Sequence, residues 1–557
     1  MNTGPSSMNS MTQSFAGDSP LGWVLPTILS QVAGRQADAL WVTDESQRSL
    51  TFSQAHQGAL RAAGFFEALG VQRGARVAMF LSNSIDFVQA WLGLGHAGMV
   101  AVMINTELRG DFLLHQLRDS GVQFIVVDED LLPVLREVLP LAGALKTVVV
   151  VGAASPPTIE GRRVLAWEKF RDAAPYEGPA PNASDTACIM YTSGTSGPSK
   201  GVLMPHAHCT LYGLGSIKCL ELAAGDSYYI CLPLFHANGL LMQLGATISA
   251  GIRAFIRRRV SGTRWLEDIR THRLTVTNLI GTTSAFVVAQ PPGPHDRDHC
   301  LRAVLNSPNV PQHETELRTR FGVKDVVSGY GMTEVNIPIW GRLGSPAPGA
   351  AGWTHEEHFE VQIVDPETDL PMPAGQAGEI VVRPRIAFGF MSGYFNAPEK
   401  TVEAWRNLWF HTGDAGVMDA TGLVTFIDRI KDCIRRRGEN ISATQVEDIV
   451  LELPGVVEVA AYAVPSDIPG GEDEVMLAVV EQPGAGVDRA AVVRMATQRL
   501  PRFAAPRYIK VVAALPKTAT GKVQRAVLRT AGTAGALDVM AEPAPRPAIP
   551  TTSRSTE

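Results

Sequence analysis

The segment Tyr191-Thr192-Ser193-Gly194-Thr195-Ser196-Gly197-Pro198-Ser199-Lys200-Gly201 gathers hydroxyls, glycines and one lysine directly after an apolar, strand-like run. Such a loop suits phosphate: glycines let backbone N–H groups turn inward on an anion, hydroxyls add donors and Lys200 adds a positive charge. Thr192, Ser193, Gly194, Thr195, Ser196, Gly197 and Lys200 are therefore the first candidate ligand-binding residues. It is not a Walker A loop, because the order G-K-[ST] is absent and Lys200 precedes its glycine. Two other patterns fail on context. Gly93-Leu94-Gly95-His96-Ala97-Gly98 spells G-x-G-x-x-G, yet a helix-like stretch precedes it and an apolar run follows. A dinucleotide fingerprint has the reverse order, so an NAD-dependent oxidoreductase is disfavoured. In His355-Glu356-Glu357-His358 the histidines lie three apart, whereas the zinc helix motif has them four apart.

A phosphate loop needs a rigid frame, and the flanking pattern predicts one. Between residues 51 and 130, helical stretches at 54–69 and 84–94 alternate with apolar runs at 76–81, 100–104 and 124–127. This is the pattern of an α/β domain with buried parallel strands. It continues through 146–151, 186–191, 227–232 and 275–280, and a β-rich stretch follows at 359–364, 378–382 and 422–426. The expected fold is α/β: a large N-terminal compound domain with parallel sheets and a β-rich subdomain over residues 23–428. Segments 445–451, 456–464, 475–480, 490–500 and 507–512 predict a small α+β C-terminal domain over 429–530. Residues 1–22 and 531–557 read as disordered tails.

With 557 residues, 45% hydrophobic and 19% charged, the chain is neither a small module nor a disordered one. Lys plus Arg is 49 against 55 for Asp plus Glu, a net charge of −6, which argues against nucleic acid as a partner. The six cysteines are scattered without a C-x-x-C pair, and the first twenty residues lack a basic-then-apolar leader, so a cytoplasmic location is expected. No uncharged apolar run reaches the ~18–20 residues of a membrane span, so no integral membrane association is expected.

The phosphate loop resembles the signature of the adenylate-forming superfamily of acyl-CoA synthetases, nonribosomal-peptide adenylation domains and luciferases. Further matches recur in order at Leu232-Pro233-Leu234-Phe235-His236, Gly329-Tyr330-Gly331-Met332-Thr333-Glu334 and Gly378-Glu379. They continue at Trp409-Phe410-His411-Thr412-Gly413-Asp414, Asp428-Arg429-Ile430-Lys431-Asp432, Arg437-Gly438-Glu439-Asn440 and Pro516-Lys517-Thr518-Ala519-Thr520-Gly521-Lys522. The resemblance covers roughly residues 25–530. Within the superfamily, the stretch from Gln290-Pro291-Pro292 to Arg320-Phe321-Gly322-Val323 resembles carnitine/crotonobetaine-CoA and bile-acid-CoA ligases.

The resemblance implies ATP, Mg²⁺ and coenzyme A acting on a small-molecule carboxylate. A carboxylate is a poor acyl donor, so ATP first makes an acyl adenylate and a thiol then displaces AMP. Lys522 is implied as the cation of the adenylation step, Thr333 as the α-phosphate contact, and Glu334 as the Mg²⁺ ligand with Thr195 as a second. Tyr330, with Gly331 and Met332, is implied to lie against adenine. Asp414 is implied to take the ribose hydroxyls, and Arg429 the same sugar or a phosphate. Lys431 falls at the hinge on which the small domain rotates. Arg435, Gly438 and Asn440 belong to the loop facing the pantetheine tunnel, and His236 to a gate that orders the carboxylate; no metal beyond Mg²⁺ is indicated. The family's Gly-Gly-Ala-Pro-like segment framing adenine is replaced here by Leu305-Asn306-Ser307-Pro308-Asn309. The expected activity is an AMP-forming acyl-CoA ligase for a carnitine-like or steroid/bile-acid-like acid, with an enzyme loading a separate carrier protein as the alternative. The sequence is compatible with a homodimer.

Overall fold

The computed structural model describes residues 14–192, 198–429, 434–468, 471–482, 489–517 and 523–540. Six strands from Thr186–Thr192 to Arg163–Ala166 run parallel in the order Thr186–Thr192, Val100–Met103, Arg76–Phe80, Phe124–Asp128, Thr147–Val151, Arg163–Ala166. Lys200–Pro205 and Gly393–Tyr394 extend this sheet antiparallel at one edge. Every residue of Thr147–Val151 is buried, as expected of a parallel strand covered on both faces. A second sheet of seven strands runs from Asp325–Val327 through Ala303–Ser307, Val276–Ile280 and Ser227–Ile230 to Ser49–Thr51. Helices Phe52–Ala68, Ile85–His96 and His206–Cys219 contribute to one hydrophobic core with residues of both sheets. Thr51 starts the first of these by a reciprocal cap with Gln54, its hydroxyl accepting from the Gln54 N–H at 3.2 Å.

Gly93 and Gly95 of the G-x-G-x-x-G pattern lie inside helix Ile85–His96, and a strand follows at Val100–Met103. A Cβ on Gly93 would sit 2.6 Å from the Ala62 Cβ, and one on Gly95 2.9 Å from Pro26. These glycines permit helix packing. A third, antiparallel sheet of eight strands, from Gly329–Met332 to Phe359–Val364, forms the β-rich subdomain.

The C-terminal domain has hairpin Ile434–Arg436/Glu439–Ile441 and a four-stranded sheet of Val456–Val464, Glu474–Glu481, Tyr508–Val511 and Leu537–Asp538. Alternation divides that sheet. Val459, Ala461, Ala463, Leu477 and Ile509 pack with helices Ala443–Leu451 and Arg489–Arg499, whereas Ala460, Tyr462, Met476 and Tyr508 pack with Leu515, Val523 and Leu528.

Two expectations need correction. Residues 14–22 are not a loose tail: Ala16 is 7% exposed and the Phe15 N–H donates to Ser249 O at 2.8 Å. Residues 531–540 likewise contribute strand Leu537–Asp538, paired with Tyr508–Val511. Composition marks such segments as unable to build a core, but helix Gly245–Ala250 and the core hold the first, and an open sheet edge recruits the second. Among the described residues no helix is long and apolar enough to cross a membrane.

Candidate active site

Strand Thr186–Thr192 ends at the phosphate loop, and its last residue already engages the site. The Thr192 hydroxyl donates to Glu334 Oε1 at 3.1 Å, and the Tyr394 hydroxyl donates to the same oxygen at 3.0 Å. Burial, and then the Glu334 carboxylate, push the Tyr394 hydroxyl far up, so it stays a donor. Glu334 is only 4% exposed, and its Oε2 has no hydrogen-bond partner among the described residues. A buried carboxylate oxygen left open beside a phosphate loop fits a hard divalent cation. Lys200 lies 4.4 Å over the Tyr394 ring, which ties the loop's cation to the same corner. Ser193, Gly194, Thr195, Ser196 and Gly197 lie outside the described residues.

The turn carrying Thr333 is braced from helix His206–Cys219. The Tyr212 hydroxyl donates to Met332 O at 3.0 Å, and His208 Nε2 lies 2.9 Å from Thr333 O. Gly331 precedes this turn in strand Gly329–Met332, where a Cβ would meet Asn336 O at 2.1 Å, so only glycine allows the pairing. The Tyr330 hydroxyl donates to Asp414 Oδ2 at 2.7 Å, and its ring stacks on Phe426 at 6.1 Å and 25°. Asp414 is placed by its own turn. Glu379 accepts from the Gly413 N–H at 2.9 Å, Gly413 has φ +72°, and the Thr412 hydroxyl accepts from the Asp414 N–H. Asp414 pairs in register with Arg429, of which only the backbone is described. Segment 305–309 joins this wall through the Ser307 hydroxyl, which donates to Gly329 O at 2.5 Å.

A second cluster lies where the C-terminal hairpin meets the large domain. Asn83 holds the loop before His236, accepting from the Leu234 N–H at 2.7 Å and donating to Leu232 O at 2.8 Å. His236 Nε2 lies 2.7 Å from Glu439 Oε1, and Asn105 Nδ2 donates to the same oxygen at 2.9 Å. Burial opposes charge on His236, but the Glu439 carboxylate outweighs it and raises the imidazole above its ordinary value. Arg437 (φ +57°) and Gly438 (φ +81°) form the tight turn of the hairpin. The φ of Gly438 favours glycine, and a Cβ there would also meet Ile280 Cδ1 at 2.4 Å, a contact that the side-chain tip can yield to. Glu472 ties the turn down: its Oε2 accepts from the Gly438 N–H at 2.5 Å and from the Thr282 hydroxyl at 2.8 Å, and its Oε1 from Arg435 at 3.1 Å.

Not every arginine of the 435–437 run faces this cluster. Arg436 is 4% exposed, pairs with Glu474 at 2.6 Å and donates to Ala505 O, so it is structural. For Asn440 only the backbone is described, and Lys431 and Lys522 lie outside the described residues. Two residues beyond His236 a second polar chain ends: the Tyr228 hydroxyl donates to Asn278 Oδ1 and Asn278 Nδ2 to Asn238 Oδ1, both at 2.7 Å. Asn278 is fully buried and Asn238 half-buried.

Sequence reasoning did not find Tyr394, Glu379, Glu439, Glu472 or Asn105 as site residues. Tyr394 reaches Glu334 only through the sheet edge it shares with Lys200–Pro205. Glu379 and Glu439 do fall inside recognisable motifs, and that was the available signal.

The architecture agrees with what comparison shows. Residues 29–395 match the AMP-binding enzyme family and residues 445–522 the AMP-binding enzyme C-terminal domain. The chain belongs to the AMP-binding enzyme family and is an AMP-forming acid–thiol ligase, using ATP and taking CoA as a substrate. It is 29% identical over 485 residues to the crotonobetaine/carnitine–CoA ligase of Salmonella enteritidis PT4 (strain P125109), covering 86% of this chain and 92% of the relative. The fold superposes on a double mutant of o-succinylbenzoate CoA synthetase (MenE) from Bacillus subtilis bound to a product analogue. That match has TM-score 0.78 at 25% identity and covers 91% of this chain and 98% of the other. It also superposes on the anthranilate CoA ligase AuaEII in complex with anthranoyl-AMP, with TM-score 0.68 at 26% identity, covering 91% and 96%.

Proposed function

We propose that the protein converts a short polar carboxylate of the carnitine type into its CoA thioester through an acyl adenylate. The observation that carries the substrate class is the buried chain Tyr228–Asn278–Asn238, which ends on the half-buried amide of Asn238 beside the His236 loop. A wall of carboxamides serves an acid with its own hydrogen-bonding group; a steroid or plain alkyl chain would desolvate it without return. The name borne by the relatives, crotonobetaine/carnitine–CoA ligase, supports the same class.

In the first half-reaction, attack of the carboxylate on the α-phosphate builds negative charge on phosphorus. The loop ending in Lys200 cradles the phosphates, Thr333 contacts the α-phosphate and Lys522 supplies the cation that stabilises the transition state. Tyr330, Gly331 and Met332, with Phe426, frame adenine; Asp414 accepts from the ribose hydroxyls and Arg429 holds the same sugar. Glu334 Oε2, with Thr195, would hold Mg²⁺, which when bound supplies charge neutralisation at the phosphates.

In the second half-reaction the docked hairpin does the positioning. Glu439 fixes His236 through Nε2, and Gly438 beside Ile280 lets the thiol arm pass close to backbone. Leu515 and Val523, which flank the Lys522 segment, pack on the sheet face opposite helix Ala443–Leu451. The described orientation is therefore assigned to the thioester step, and rotation about Lys431 brings Lys522 to the phosphates in the other.

The test is pyrophosphate release with ATP and Mg²⁺ across short polar, quaternary-ammonium, aromatic, long-chain and steroid acids, each with and without CoA. The expected result is a CoA-dependent thioester from the short polar class, with Asn278→Leu raising KM for that acid by about tenfold to 200-fold. Preference for steroid or long-chain acids would overturn the substrate class. Acid-dependent pyrophosphate release without a thioester would redirect the acyl group to a carrier protein.

A further inference from the structure

The pair His355 and His358 lies on the turn between strands Gly352–Thr354 and Phe359–Val364, and neither histidine belongs to the two clusters described above. The turn closes by His358 N–H donation to His355 O at 3.1 Å. Because this is a turn and not a helix, a spacing of three brings the rings together: their centroids are 4.6 Å apart. His355 Nε2 and His358 Nδ1 lie 3.3 Å from one another, and Glu357 Oε2 lies 3.8 Å from His355 Nε2. All three donor atoms fall within 4.8 Å of one another. Tetrahedral ligands at about 2.0–2.2 Å from a metal are themselves separated by about 3.3–3.6 Å. The two histidines already have that separation, and the carboxylate needs only a small side-chain shift.

The surroundings suit a bound cation. The His355 side chain is 8% exposed, and the His355 backbone N–H anchors the turn to Pro338 O at 2.8 Å. Trp23 packs edge-on against His358 at 5.6 Å, and Phe359 is fully buried behind them. A cationic group already occupies the carboxylate: Lys218 Nζ lies 2.6 Å from Glu357 Oε2. Both ends of that pair are more than half exposed, so it is a weak contact that a divalent ion displaces readily. We propose that His355, Glu357 and His358 form a site for a divalent transition cation of the zinc class, with its fourth position open to water. Two imidazoles and one carboxylate select such an ion over Mg²⁺, which favours oxygen donors. The site is separate from the Glu334 corner.

The test uses the full-length, metal-free protein titrated with Co²⁺ alone. The expected result is one equivalent bound with the visible absorption of tetrahedral cobalt, displaced by Zn²⁺ and unaffected by excess Mg²⁺. His358→Gln and Glu357→Ala should each weaken binding by more than about 100-fold, since even groups behind the ligands are worth 10–100-fold. Lys218→Ala should tighten it, because the competing ammonium is gone. Glu357 is 62% exposed at its side chain, so its alanine variant folds even if the histidine variant does not. Absence of the tetrahedral spectrum, or a spectrum unchanged in both ligand variants, overturns the proposal.

Discussion

The Glu334–Asp414 corner of the large domain, proposed above to hold the nucleotide, and the hairpin of the small domain are built on opposite plans. Glu334 and Asp414 are 4% and 5% exposed, and each is fixed by hydrogen bonds from rigid strands. At the hairpin, the side chains of His236 and Glu439 are 39% and 19% exposed, and the domain joint carries polar contacts through Glu439, Glu472 and Arg499. Groups that must hold charge in place gain from preorganisation in a dry setting. An element that must dock and leave gains from contacts that water readily replaces. The contrast extends to titration. All thirteen histidines and all nine tryptophans fall between residues 23 and 411, in the large domain.

Acid should therefore break the two regions apart, and this is the largest effect expected. Among the described residues, His56, His96 and His206 each leave a buried ring nitrogen without a hydrogen-bond partner. Burial, then neighbouring His56 and His206, lower His96 from 6.5 to about 3, and burial lowers His206 to about 4. A folded value below the unfolded one means that the unfolded chain binds more protons between the two. Stability is thus whole above about pH 6.5 and falls toward pH 4, by up to about 1.4 kcal/mol per pH unit for each group. Tryptophan fluorescence should lose the large domain over that window while hydrogen exchange in strands Val456–Val464 and Glu474–Glu481 stays slow. Simultaneous loss of both domains would remove the contrast.

Substitution should separate the half-reactions next. Lys522→Ala is expected to slow adenylation by about 10²–10³-fold while leaving thiol attack on preformed acyl-AMP largely intact. Equal loss in both steps would place Lys522 outside the proposed role. Glu439→Gln should act in the other direction, slowing only the thiol step by about tenfold, the worth of one charge-assisted hydrogen bond in a half-exposed site. It should also lower the His236 titration, since Glu439 is what raises it. An unchanged pH profile of the thiol step would show that the 2.7 Å contact does not govern His236.

Much of the large domain was legible because its strands are short apolar runs separated by capped helices, as at Thr51–Gln54 and Ser84. Thr192, Tyr330, Glu334 and Asp414, which the fold joins in hydrogen-bonded pairs, were singled out for a different reason, since the motif that carries each is local in sequence. What stayed hidden is what the fold joins at long range. Tyr394 meets Glu334 across 60 residues, and Glu439 meets His236 across 203. No periodicity reports such pairs. The zinc-helix spacing test does not register that His355 and His358 come together, because it presumes a helix where the chain makes a turn.

The smallest effect is expected at the joint itself. Arg499, at the end of helix Arg489–Arg499, reaches Asp111 of the large domain through Nε at 2.8 Å and Glu452 of its own domain through Nη1 at 2.5 Å. Gly110, with φ +48°, lets the backbones meet: a Cβ there would stand 3.1 Å from Arg499 O. The ion pair is partly exposed on both sides, 30% and 43%, so solvent screening holds its worth to about 0–1 kcal/mol. Arg499→Ala should thus slow the thiol step by at most about fivefold and leave adenylation equal or slightly faster, because the docked orientation alone loses a contact. Asp111→Asn should do the same without adding to it in the double variant, since both remove one pair. Additive losses, or a loss in adenylation, would mean that Arg499 supports the fold of the small domain through Glu452 and not its docking.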